Sequence, residues 1–123
     1  MTPYSLLLIS ENKPNSPDEI HSSNQMITWG LWSELSKLPH ITMNYQKAYP
    51  DGYPDGDVES WRMRLATQQV DFTLVHSYTP GPIFDEMPTV RNNTRREVMW
   101  ISEYTHPVFD YNFTFLLCGG RSE

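Results

Sequence analysis

The 123 residues, 38% of them hydrophobic and including four Trp, seven Tyr and five Phe, are enough for one packed domain over 1–123 and exclude a disordered chain. A net charge of −6 argues against a nucleic-acid partner, because binding a phosphate backbone needs clustered Lys and Arg. The single cysteine, Cys118, excludes an internal disulfide and a thiolate metal cluster.

No apolar run approaches the ~20 residues that cross a bilayer. The start of the chain has neither the basic flank nor the small-residue cleavage site of a secretory leader. A reducing, cytoplasmic setting is therefore expected, and the acceptor patterns at Asn92 and Asn112 are read as chance.

The first element is the one around which the rest is arranged. Leu6, Leu7, Leu8 and Ile9 are an unbroken apolar run. Such a run reads as a strand buried on both faces at the centre of an α/β sheet. A polar loop follows, and then Ser16, Pro17 and Glu19 in the spacing of a capping box with proline at the first helical position. This predicts a helix over 17–38, with Ile20, Ile27, Leu31, Leu35 and Leu38 as its apolar stripe. Gly30 inside it is read as allowing close approach to the sheet. Pro39 ends the helix.

Ile41, Met43 and Tyr45 alternate with polar residues, which predicts a half-covered second strand over 40–45. Residues 48–57 hold Tyr-Pro-Asp-Gly twice and read as a turn-rich loop. Its Tyr49 and Tyr53 fit equally a stacking surface for a sugar or partner and a structural anchor. Asp57 caps a predicted helix over 58–70, whose apolar side is Val58, Trp61, Leu65 and Ala66. A third strand is expected at 71–75, and a proline-broken region with a short helix near 83–87 or 89–95. Strands are expected at 98–102 and 111–117.

Alternating strands and helices predict an α/β, Rossmann-like, mostly parallel sheet with helices on both faces. Ligands of such sheets bind at the carboxyl ends of the strands. The residues expected there are Ser10, Glu11 and Asn12, then His76, Ser77 and Tyr78, then Glu103 and His106. His76, Glu103 and His106 are the catalytic candidates, since these types move protons near neutral pH. His76 suits a general base, a hydroxyl-binding group or a loop-capping hydrogen bond. Glu103 and His106 suit an acid–base pair or half a metal site, and without a third ligand no metal is expected. Ser10, Glu11, Asn12, Ser77 and Tyr78 are the ligand-binding candidates.

The first loop has no Gly-x-Gly-x-x-Gly, and no Gly-Lys-Ser/Thr occurs anywhere. A nicotinamide or ATP site is therefore not expected, and no cofactor is assigned. No Gly-x-Ser-x-Gly elbow supports a hydrolase or phosphatase-like enzyme.

Three stretches resemble the amino-terminal lobe of a two-lobed, GT-B type glycosyltransferase. They are LLLISENKP at 6–14, MITWGLWSELSKL at 26–38 with HITM at 40–43, and DFTLVHS at 71–77. The resemblance implies an acceptor-side lobe that binds a sugar or nucleotide-sugar. It carries His76 over as the acceptor-side histidine, and Glu11 and Asn12 as loop contacts. That family has glycines in the first loop, where this chain has none, and holds its donor mainly in a second lobe. The resemblance therefore implies a lobe inactive alone, completed by a second lobe or a protein partner. The competing expectation is a non-enzymatic interaction protein, such as a small viral or accessory factor. It would meet a protein partner through its acidic surface and the tyrosines of 48–57.

Overall fold

A computed structural model describes residues 3–77, 82–102 and 114–117. Five strands form one sheet in the order β2-β1-β3-β4-β5, with every neighbouring pair parallel. They are β1 (Tyr4–Ser10), β2 (Ile41–Lys47), β3 (Val70–His76), β4 (Thr94–Ser102) and β5 (Thr114–Leu117). The helices are α1 (Ser23–Leu35), α2 (Val58–Thr67), and the short α3 (Pro82–Asp85) and α4 (Met87–Asn93). This is the Rossmann-like α/β architecture that the alternation of elements predicts. Both short-helix positions expected in the proline-broken region are used. β4 begins earlier than expected, at Thr94, and residues 111–113 lie outside the described residues.

β1 lies between β2 and β3, and its side chains divide between two cores. Leu7 and Ile9 join Trp61 and Leu65 of α2, Met87 and Val90 of α4, and Val75, Val98 and Trp100. Leu6 and Leu8 join Leu74 and Ile101, flanked by Leu31, Trp32 and Leu35 of α1 and by Ile41, Met43 and Tyr45 of β2. α1 therefore covers one face of the sheet, and α2 and α4 cover the other. The helices leave β1 and β3 on opposite faces, so these two strands form the switch point of the doubly wound sheet.

The start of the first helix is corrected. Residues 17–19 form one 3₁₀ turn, and Ile20 is extended at φ −83°, ψ 114°. Ser16 makes no side-chain cap, and the Glu19 carboxylate accepts from the Asn15 amide at 3.0 Å. The helix begins only after Ser22, whose hydroxyl accepts from the Gln25 amide at 3.2 Å. Gln25 Oε1 in turn accepts from the His21 amide at 2.7 Å. The box motif exists but sits six residues further on, because only there does a continuous helical run follow it. The far end is corrected too: α1 stops at Leu35, and Leu38 is exposed.

Two further expectations change. Nothing lies within 4 Å of where a Cβ on Gly30 would sit, so that glycine does not serve a close approach. α2 ends at Thr67 rather than 70, and Ala66 is exposed. Gln68 is extended there, and Asn93 Nδ2 donates to the carbonyls of Leu65 and Ala66 at 3.1 and 3.0 Å. No helix among the described residues is long and apolar enough to cross a membrane.

Two outcomes follow for denaturant unfolding. Ser22→Ala should cost about 1 kcal/mol, the usual loss for an N-cap, whereas Ser16→Ala should stay within about 0.5 kcal/mol, as surface changes do. Gly30→Ala should raise stability by roughly 0.5–1 kcal/mol, because it adds helix propensity without a clash.

Candidate functional site

Four of the expected site residues meet at the switch point. Ser10 and His76 are register partners at the ends of β1 and β3, and Glu11 and Ser77 follow them directly. Ser10, His76 and Ser77 are buried and Glu11 is half-buried, whereas Asn12 is exposed. Tyr78, Glu103 and His106 lie outside the described residues.

The Glu11 carboxylate is held from both sides. Asn24 Nδ2 donates to Oε1 at 3.1 Å, and Ser77 Oγ donates to Oε2 at 3.3 Å. One bond comes from α1 and the other from the end of β3. Behind them, Thr28 Oγ1 lies 3.3 Å from His76 Nδ1, with both side chains fully buried. Asn24, Thr28, Leu31 and Leu35 follow at helical spacing, so α1 turns a face toward the sheet that is polar in its first half and apolar in its second. Asn24 and Thr28 are not among the residues picked from the sequence. Their signal was present, since polar residues sat where the stripe through Leu31 and Leu35 extends backward.

On the other side of β1, the Tyr45 hydroxyl donates to the Ser10 carbonyl at 3.0 Å and lies 3.0 Å from Ser10 Oγ. The Ser10 carbonyl also receives the Ala48 amide at 2.8 Å. Burial pushes the Tyr45 phenol from its ordinary 10.0 up to about 12, against the opposing effect of the Ser10 hydrogen bond. Trp32 meets the Tyr45 ring edge-on at 6.3 Å, and the Lys13 ammonium sits 4.7 Å from the Trp32 ring centre. That contact fixes the loop after β1 onto α1.

A cavity of about 340 Å³ opens at this edge, lined by Glu11, Ser77, Tyr49, Tyr53, Pro82 and Ile83, with Ala48 beneath. His76 is not in its wall. Tyr49 and Tyr53 come from the loop after β2, with ring centres 5.8 Å apart. The doubled Tyr-Pro-Asp-Gly shapes this loop, and its two glycines serve different ends. Gly52 has φ +79°, in the region that favours glycine, whereas a Cβ on Gly56 would fall 1.7 Å from the Asp51 carbonyl oxygen. Trp61 Nε1 donates to the Lys47 carbonyl at 2.8 Å, which ties the root of the loop to α2. Among the described residues, no group of three His, Cys, Asp or Glu side chains is placed to hold a metal ion.

The Tyr45 phenol gives a pH dependence with a defined sign. The unfolded chain releases its proton near 10.0 and the folded chain near 12, so the native state binds more protons between these values. Stability contributed by the neutral phenol is complete below pH 10.0 and is lost as pH rises toward 12. Urea midpoints measured across this range should fall for the wild type and flatten for Tyr45→Phe.

No protein-family model matches the chain, and the searches of curated proteins and of solved structures likewise found no match, so the reading of this site rests on its chemistry.

Proposed function

We propose that the edge at β1 and β3 binds a sugar or the sugar part of a nucleotide-sugar, as the acceptor side of a glycosyltransferase-like protein. The observation that carries this reading is the Glu11 carboxylate, fixed by Asn24 and Ser77 in the wall of a cavity that also presents two tyrosine rings. A carboxylate offers about four acceptor positions, so it takes ligand hydroxyls while its neighbours hold its plane. Aromatic faces cover the apolar side of a sugar ring, and tyrosine adds a polar tip. At about 340 Å³ the cavity lies at the small end of the range of ligand sites.

In this reading Glu11 and Ser77 contact the ligand. His76, buried against Thr28, is a positioning residue that holds the end of β3. Transfer of a sugar would require a donor-holding lobe or partner, as the resemblance implies.

Calorimetric titration with a panel of sugars and nucleotide-sugars tests this reading. Glu11→Gln should weaken binding about tenfold or more, since hydrogen bonds to a charged acceptor are worth about 1.5–3 kcal/mol. Absence of heat with every sugar and nucleotide-sugar would sink the reading. The alternative is a protein-binding role centred on Tyr53, which is 50% exposed on the same loop. It would be favoured by a captured protein lost with Tyr53→Ala and kept with Glu11→Gln.

A further inference from the structure

A second cavity of about 410 Å³ lies beside the first and shares two of its walls, Tyr53 and Pro82. Its remaining lining is Val58, Trp61, Arg62 and Asp85. We infer that the two cavities are successive subsites of one groove, and that its ligand is a neutral glycan of at least two sugar units. This rests on the sugar-binding reading above and extends it from a single unit to a chain.

Three observations carry the inference. First, Tyr53 belongs to both cavities and packs its ring on Tyr49, so it stands at the junction as a shared platform. Second, that platform is built in advance. The Tyr53 amide donates to the Pro50 carbonyl at 3.1 Å, and the Asp55 amide donates to the Gly52 carbonyl at 2.8 Å. A preorganised aromatic surface spares a ligand the cost of ordering the loop.

Third, the charges suit a neutral ligand at both ends. Arg62 Nε lies 3.0 Å from the Glu86 carboxylate, and Nη1 lies 3.5 Å from Glu59. Asp85 adds a further carboxylate to the same subsite. The guanidinium charge is therefore balanced locally, and the other subsite holds Glu11. A phosphate or diphosphate would meet carboxylates in either cavity, whereas sugar hydroxyls find donors and acceptors in both. The nucleotide part of a nucleotide-sugar is thus a poor fit to the second subsite, and a second sugar is a good one.

The test is a set of paired titrations of the full chain, comparing glucose with maltose, galactose with lactose, and N-acetylglucosamine with chitobiose. The inference expects at least one disaccharide to bind about tenfold more tightly than its monosaccharide. Arg62→Ala and Asp85→Asn, both at exposed positions, should each reduce that advantage and leave monosaccharide affinity unchanged. Tyr53→Ala should weaken both members of the pair. Equal affinity for mono- and disaccharide, or an advantage untouched by Arg62→Ala and Asp85→Asn, would overturn the groove while leaving the single-sugar site standing. Failure of every sugar to bind would overturn both.

Discussion

Along β1, Leu7 and Ile9 enter the core beneath α2 and α4, while Leu6 and Leu8 enter the one beneath α1. Each side chain removed from water contributes roughly 1.5–3 kcal/mol. The strand gains this only if both faces are covered and both edges are hydrogen-bonded. An unpaired backbone group in such a place costs about as much as a lost hydrogen bond. β2 on one side and β3 on the other meet the second condition. Helices on opposite faces meet the first. The reversal of strand order at β1 and β3, and with it the crevice, accompanies burial of Leu6 to Ser10 on both faces.

The same burial continues past the last apolar residue, where it changes from a gain to a demand. Ser10, His76 and Ser77 are as deeply buried as the leucines, so their polar atoms need partners. Those partners are Tyr45 from β2, Thr28 from α1 and Glu11 from the loop. The two buried residues of α1 are Asn24 and Thr28, both polar, while Leu31 and Leu35 are half-buried. The helix is therefore held at its amino half by hydrogen bonds to the site and at its carboxyl half by apolar contact. Docking of α1 and the orientation of Glu11 depend on the same bonds, which gives the site its rigidity.

What could be read from the chain divides along this line. Apolar periodicity is visible in one dimension. It placed β1, the inward face of β2 at Ile41, Met43 and Tyr45, α2 through Trp61 and Leu65, and β3. Ser10, Glu11, His76 and Ser77 were also legible, because strand ends in a parallel sheet share one edge. The helix start was not. Ser16 and Ser22 each precede a plausible capping partner, and only the extended backbone at Ile20 decides between them. Asn24 and Thr28 extend the Leu31 and Leu35 stripe backward, but polar residues on a helix are ordinarily assigned to solvent. Their value lies in Glu11 and His76, which are distant in sequence. The doubled Tyr-Pro-Asp-Gly announced turns, but not that Gly52 supplies a positive φ and Gly56 a close contact, nor that both tyrosines would face the cavity.

The length of the first loop bears on what the crevice accepts. A tight glycine turn after the first strand brings the following helix's amino end against a ligand phosphate, where its amides and dipole favour negative charge. Here residues 11–22 intervene, including the separate turn at 17–19. Within the first turn of α1, the Gln25 amide donates to the Ser22 hydroxyl and the Met26 amide to the Ser22 carbonyl. α1 offers the site the Asn24 side chain, and Asn24 holds a carboxylate. A crevice that would attract an anion in the glycine-turn arrangement thus presents Glu11, an acceptor. In the proposed sugar-binding reading, that acceptor is matched to ligands whose outer atoms are hydrogen-bond donors rather than phosphate oxygens.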